Sequence, residues 1–500
     1  MSQQLLRELT APNGLKYTQP LGLFINNEWV LSSSGETIET LSPADESIIA
    51  AVQAATTEDV DRAVQAAREA FDGPWSDVAP TARAKLLHKF ADLVEEHAEV
   101  LATIESWDNG KPYQTALTED VAEVYNAARY HAGWADKLHG QVIPTESGQL
   151  AYTIREPVGV CGSIVPWNFP LLLAAWKLCP AIAAGNTSII KAAEQTPLSI
   201  LYLANLFKEA GFPPGVVNVI NGYGKTAGAA MAGHLDIDKI SFTGSTATGR
   251  QIMRLAAANL KDICLETGGK SPILIFEDAN LQEAAKWAHF GIMLNAGQAC
   301  SATSRILVHE NIHEEFVRLL KEQTRKVSKI GDPFASETFQ GPQVSKAQHN
   351  QILSYIELGK SEGAQLAYGG KIFDVGNGKG YYIEPTVFTH VTDDMRISRE
   401  EVFGPFVVVS TFKTEQEAVR RANDTTYGLA AAIFSQDPAR GHRLARRIRA
   451  GSVWINGSNV GDLKVPFGGF KQSGIGREGG EAGIAQFTNI KSVYLQMEQN

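Results

Sequence analysis

Early in the chain, apolar residues recur every three or four positions. Val60, Ala63, Val64, Ala67 and Phe71 share one face of a helix predicted over 57–71, with Thr56 and Asp59 as a capping pair before it. Leu86, Leu87, Phe90, Leu93, Val94, Leu101 and Ile104 predict a second helix from Thr81 to about Trp107, stopped by Asn109-Gly110. From residue 158 short apolar runs alternate with helices. The predicted strands are Val158–Val165, Thr187–Lys191, Val216–Ile220, Lys239–Phe242 and Asp262–Glu266. A helix over 198–210 has Thr196 as its expected N-cap, Pro197 at its first position and Gly211 beyond its end. Such alternation predicts parallel βαβ units in a doubly wound sheet, with ligands at the carboxyl ends of the strands.

A second alternating set follows Gly269, with strands Ile273–Phe276, Arg305–His309, Phe406–Phe412, Ala430–Phe434 and Ser452–Asn456. It predicts a second α/β unit. Gln141–Pro157 and Ala485–Gln496 read as strand-rich extensions of the kind that pair with another subunit.

Five hundred residues exceed one core, so two or more packed units are expected. Hydrophobic residues at 44% and charged residues at 20% describe an ordinary soluble chain. The formal charge of −10 argues against nucleic acid or an anionic membrane as partner. No signal or transit peptide is apparent, and the apolar run Phe169–Trp176, ended by Lys177, is too short to span a bilayer. Cys161, Cys179, Cys264 and Cys300 are too sparse for a disulfide framework, and a reducing, cytoplasmic compartment fits them.

Several motifs carry candidate chemistry. Gly222-Tyr-Gly224 with Gly228 is an imperfect dinucleotide fingerprint, its third glycine one residue late. Gly244-Ser-Thr-Ala-Thr-Gly249 has P-loop glycine spacing, but Arg250 and Gln251 stand where Lys and Ser/Thr are needed. What remains is a strand, a turn and a helix start suited to a pyrophosphate. His309-Glu310-Asn-Ile-His313 matches the zinc-protease pattern, which needs both histidines on one helix face. Here the first ends a predicted strand and Asn311 with Glu314 reads as the cap of the next helix, so no metal is expected. Cys300, in Asn295-Ala-Gly-Gln-Ala-Cys-Ser301, follows a helix ending near Leu294. Small neighbours there suit a nucleophile, although a free thiol with pKa about 8.5 is little ionised at neutral pH. Its own surroundings leave the nucleophile and the core-cysteine readings both open. The other three cysteines read as core.

Six separated segments together resemble the aldehyde dehydrogenase superfamily, in family order from about residue 20 to 495. Gly-Gln-Ala-Cys300 and Glu266 in Leu-Glu-Thr-Gly-Gly-Lys270 are similar to its two active-site signatures. Pro166-Trp-Asn-Phe-Pro170 resembles its oxyanion segment and Phe242-Thr-Gly-Ser-Thr246 its cofactor turn. Glu401-Val-Phe403-Gly-Pro405 resembles its nicotinamide-ribose contact, and Pro466–Gly474 its late loop. The resemblance implies an NAD-binding domain over 1–137 and 158–268, a catalytic domain over 269–483 and a β-hairpin oligomerisation arm over 138–157 and 484–500. It implies oxidation of an aldehyde to the free acid by a homodimer or homotetramer. Cys300 would be the nucleophile, Asn168 and the Cys300 N–H the oxyanion donors, and Glu266 the base for hydrolysis. Lys177 and Glu478 would relay the proton. The implied cofactor contacts are Val165, Trp167, Lys191, Glu194, Gly224, Phe242, Gly244, Ser245, Gly268, Glu401 and Phe403. A carboxylate at Glu194 accepts from a ribose 2′-hydroxyl and repels a 2′-phosphate, which favours NAD over NADP. Phe169, Leu173, Trp176, Leu294 and Phe467 would wall the substrate tunnel.

The chain departs from the family pattern at Ala192-Ala193, where Lys191 is usually followed by proline, and at Thr267, where leucine is usual. Asn459–Leu463 lacks the aromatic residue that often narrows the tunnel, which predicts a wider one. Two other readings are a catalytically silent relative, which usually loses the cysteine, glutamate or asparagine, and a pure cysteine hydrolase, which normally needs a histidine base.

Overall fold

A computed structural model describes residues 5–146, 148–376 and 378–497. The other positions lie outside the described residues, so the predicted cofactor domain, arm and catalytic domain are each described without a few positions.

Two parallel-rich sheets dominate. In the first, five parallel strands run in the order Asp262–Thr267, Lys239–Gly244, Val160–Ile164, Thr187–Lys191 and Val217–Ile220. Leu23–Ile25 and Glu28–Val30 extend one edge antiparallel, and Gly474–Ile475 pairs antiparallel with the other. The chain starts at the central Val160–Ile164 strand, builds outward to one side, then returns to build the other. The strand order therefore reverses between Ile164 and Gly244, where a doubly wound sheet opens its ligand crevice.

The second sheet has the order Gln365–Tyr368, Thr386–Thr389, Phe406–Phe412, Arg305–His309, Pro272–Ile275, Ala430–Phe434 and Ser452–Ile455. All neighbours are parallel except the first pair. Its central strands are buried on both faces, as their continuous apolar sequences require. The short Gly474–Ile475 strand ties the late loop to the first sheet and lays Gly474 beside Glu266.

The helix over 57–72 begins with the predicted Thr56–Asp59 capping box. The second expected helix is two: Pro80–Glu96 and Ala98–Asn109, ended by Gly110. The break falls at His97, whose ring is tied at 2.9 Å to the Tyr202 hydroxyl, a partner remote in sequence. Thr196 does not cap the Leu198–Ala210 helix, and Pro197 lies just outside it. The Thr196 hydroxyl instead reaches the Trp167 carbonyl at 3.4 Å, and Asp108 accepts the Leu198 N–H at 2.9 Å. Asn311 and Glu314 do not form the expected cap either; the His309 ring accepts from the Asn311 N–H, and the helix starts at His313. His309 packs on Phe412 and His313 on His390, so the two rings serve different contacts.

The arm is a three-stranded antiparallel sheet rather than a hairpin alone. Thr488–Gln496 pairs along Gln149–Pro157, which also pairs with Val142–Ile143. Val142, Ile490, Tyr494 and Leu495 are exposed on it. Among the described residues, no helix is long and apolar enough to cross a membrane.

Candidate active site

The crevice of the first sheet collects most of the nominated cofactor residues. Val165 and Lys191 continue adjacent strand ends, and Phe242 and Gly244 end the next strand. Ser245 caps the Thr246–Ala256 helix by accepting from the Thr248 N–H, so the first amides of an 11-residue helix face the crevice. Gly224 is exposed, with open space where a side chain would stand. Lys191 is buried, its ammonium 2.8 Å from the Ala192 carbonyl and 3.4 Å from the half-exposed Glu194 carboxylate. Both polar groups are thus held without the usual proline. Burial draws the Lys191 pKa down.

Glu401 joins this crevice to the thiol. One of its oxygens accepts the Gly269 N–H at 2.9 Å, and a Cβ on Gly268 would run into the carboxylate. Burial pushes the Glu401 carboxyl up to about 7. Phe403, at φ +60°, stands edge-on to Trp167 with ring centroids 5.3 Å apart. Gln348 secures that turn by donating to the Phe403 carbonyl at 2.7 Å. These donors and acceptors, with the open helix N-terminus and the glycine that leaves room for Glu401, fit a dinucleotide.

Cys300 follows the Leu281–Met293 helix, at whose end Leu294 turns the chain out. Asn295, Ala296 and Gly297 are then all left-handed, at φ +50°, +54° and +76°. A run of that kind costs energy for the non-glycine residues, and the surroundings over-determine it. Gln343 donates to the Ala296 carbonyl at 3.3 Å, the Val344 N–H donates to the Gln298 side chain at 3.0 Å, and Gly297 packs too tightly on Gly404 to carry a Cβ. The Asn168 amide donates one N–H to the Gln298 carbonyl at 3.0 Å, and Asn295 donates to the Asn168 carbonyl at 3.0 Å. Asn168 is therefore locked to the Cys300 loop, with a second amide hydrogen left to give.

All four cysteines are free, and only Cys300 is not fully buried. Burial pushes Cys161 up to about 12 and Cys264 to about 11, and raises Cys179. Cys300 is also raised well above its ordinary value, by its dense surroundings first and then by the neighbouring Glu266 carboxyl. Glu266 is pushed up to about 8, chiefly by burial and next by Glu478. Its two oxygens lie near the thiol with no aligned hydrogen bond to any group. Lys177, fully buried, donates to Glu478 at 2.6 Å and to Thr243 at 2.8 Å, and both charges act on Glu266. The Thr267 hydroxyl donates to the Gln472 carbonyl at 2.7 Å, a bond leucine does not make.

Of the nominated tunnel residues, Trp176 and Phe467 meet edge to face at 6.0 Å, and Lys111 lies over the Phe169 ring at 4.4 Å. Leu173 is buried on the Trp176 helix, and Leu294 precedes the left-handed turn. A cavity of about 570 Å³ lined by Trp107, Phe334 and Tyr382 holds none of the nominated residues. Asn295, Gln298, Gln343, Gln348 and Thr243 were not legible in the sequence. The one local signal was Asn295, a residue type that tolerates positive φ.

The strand order of a doubly wound sheet gives a nucleotide-type crevice, and the Cys300 thiol, not fully buried, and the buried Glu266 carboxyl lie beyond it. The profile of the aldehyde dehydrogenase family matches residues 29–493. An aldehyde dehydrogenase of Aspergillus niger is 53% identical over 494 residues, 99% of this chain and 98% of that one. The NAD+ complex of an aldehyde dehydrogenase from Bacillus cereus superposes with a TM-score of 0.93 at 51% identity, covering 96% of this chain and 97% of that chain. A betaine aldehyde dehydrogenase from Staphylococcus aureus, also with NAD+, gives 0.94 at 41%, covering 96% and 98%. The chain belongs to the aldehyde dehydrogenase family, and its activity is the oxidation of an aldehyde with NAD.

Proposed function

We propose that this oxidation proceeds through a covalent acyl group on Cys300. The observation that carries the reading is the Cys300 thiol, not fully buried, with the orphaned Glu266 carboxyl beside it and the Asn168 amide tied to the loop that carries it. The Cys300 sulfur adds to the aldehyde carbon as the thiol proton passes to Glu266, giving a thiohemiacetal. Because burial disfavours a thiolate here, addition and proton loss are coupled, and the negative charge moves to the substrate oxygen. The free Asn168 N–H and the Cys300 N–H hold that oxyanion. NAD, when bound, supplies the two-electron acceptor for the aldehyde C–H bond, and a thioester is left on Cys300. Lys177 and Glu478 carry the thiol proton away from Glu266 before hydrolysis. Glu266 then takes a proton from water as the oxygen attacks the thioester, and gives it to the Cys300 sulfur as the C–S bond breaks and the carboxylic acid leaves.

Lys191, Glu194 and the helix N-terminus at Ser245 hold the adenosine and pyrophosphate end of NAD, with Val165, Phe242, Gly244 and Gly224 shaping that crevice. Trp167, Gly268, Glu401 and Phe403 hold the nicotinamide ribose end. Phe169, Leu173, Trp176, Leu294 and Phe467 wall the aldehyde tunnel. The first sheet supports the cofactor domain and the second the catalytic domain, with Gly474–Ile475 crossing from the second to the first, and the apolar arm surface supports a homodimer or homotetramer. Four free cysteines suit a reducing cytoplasm. The test is NADH formation across small aliphatic, long-chain, aromatic and betaine-type aldehydes, with Cys300→Ala beside wild type. Loss of aldehyde-dependent NADH in the variant supports the route; survival of that activity overturns it.

A further inference from the structure

The stretch that holds the oxyanion amide is braced from behind by charges that no step above uses. Lys111 follows the Ala98–Asn109 helix and is almost wholly buried. Its ammonium lies 2.6 Å from Asp120, 3.7 Å from Glu105 and 4.4 Å from the centroid of the Phe169 ring. Its carbonyl is fixed by the Ser106 hydroxyl at 2.7 Å. Phe169 directly follows Asn168 and is the N-cap of the Pro170–Ala184 helix, yet its side chain gives that helix no capping hydrogen bond. The buried Glu105 carboxyl has no hydrogen-bond partner on either oxygen. Asn109 donates to the Trp167 carbonyl at 2.6 Å, on the other side of Asn168. Residues 167 and 169 are thus both in contact with the 105–111 stretch, and Asn168 lies between them.

A buried ammonium flanked by two buried carboxylates is costly to desolvate and contributes little net stability compared with apolar packing. Its geometry makes sense as a positioning device. We propose that Lys111, clamped between Glu105 and Asp120, is a positioning residue for the aldehyde site: through the Phe169 ring it fixes the aim of the Asn168 amide and the width of the tunnel. The inference rests on the roles assigned above to Asn168 and Phe169.

Removing the ammonium alone leaves two buried carboxylates, so Lys111→Met is paired with the triple variant Glu105→Gln/Lys111→Met/Asp120→Asn, which removes all three charges together. Both are assayed with acetaldehyde and benzaldehyde, alongside direct measurement of NAD binding. Displacement of a reacting geometry by about 1 Å costs about 10²-fold. The triple variant is expected to lose kcat on that scale, to change its benzaldehyde-to-acetaldehyde ratio of kcat/KM, and to keep wild-type NAD affinity. In a Phe169→Leu background the charge removal no longer alters that ratio, because the ring that transmits it is gone. A triple variant with wild-type kcat and wild-type aldehyde ratio overturns the proposal, as does a loss matched by lost NAD affinity. Asn168→Ala serves as control. If it leaves kcat intact, the oxyanion reading fails; if it alone loses activity, only the Lys111 proposal fails.

Discussion

Glu266→Gln separates what the buried carboxyl does for the reaction from what it does to the fold. Burial first, then the Glu478 charge, lifts the Glu266 carboxyl from 4.5 to about 8. The unfolded chain releases this proton near the ordinary glutamate value, whereas the folded chain keeps it. Below pH 4.5 both states are protonated and the group's preference for the fold is fully present. Between pH 4.5 and 8 the unfolded state ionises first, so that stability is lost as pH rises. At about 1.4 kcal/mol per unit, the whole window is worth about 5 kcal/mol, an upper bound because an ionised carboxylate can turn toward water. Glutamine does not ionise. Guanidinium unfolding should therefore show the variant close to wild type at pH 4 and more stable at pH 9. Hydrolysis responds in the opposite sense, because the ionised form is the base. At pH 7 only about one-tenth of Glu266 is ionised, so decay of the acyl-enzyme should rise with pH through about 8 in wild type. The variant should lack that rise. A stability difference that is the same at pH 4 and pH 9, or a wild-type decay rate independent of pH, refutes the reasoning.

Asn168→Ala removes one oxyanion donor and should lower kcat by about 10²–10³, read by steady-state kinetics with NAD affinity checked separately. Glu194→Gln removes the charge that repels a 2′-phosphate, and about a tenfold gain in NADP efficiency relative to NAD is expected, equivalent to about 1.4 kcal/mol. The lack of an aromatic residue in Asn459–Leu463 predicts higher kcat/KM on bulky or aromatic aldehydes than on acetaldehyde, and a panel showing the reverse removes the wide-tunnel reading.

Strands buried on both faces were the most legible elements. Thr187–Lys191, Arg305–His309, Phe406–Phe412 and Ala430–Phe434 were read to the residue because their apolar runs are continuous. Thr386–Thr389 was missed, and so were the hairpins Leu6–Thr10 with Lys16–Pro20 and Thr37–Leu41 with Ile48–Gln53, whose short alternating sequences carry weak periodicity. The break at His97 and the capping of Leu198 by Asp108 depend on partners about 100 and 90 residues away, which no local pattern reveals. Within the site, motif residues were visible as chemistry. Their supports were not: Gln298 and Gln348 look like surface amides until the left-handed turns they hold are in view. Lys111, Glu105 and Asp120 belong to no motif in the sequence, and their burial comes from partners that local patterns do not reveal.

The central claim is that the acyl group resides on Cys300 and leaves by Glu266-assisted hydrolysis. Its most direct test mixes Glu266→Gln with NAD and an oxidisable aldehyde, quenches within the first turnover and maps the acylated peptide by mass spectrometry. Expected are an NADH burst that rises to the number of active sites, more slowly than in wild type because glutamine cannot take the thiol proton, and one acyl group, on the peptide carrying Cys300. An NADH burst with no adduct there, or an adduct on another side chain, contradicts it.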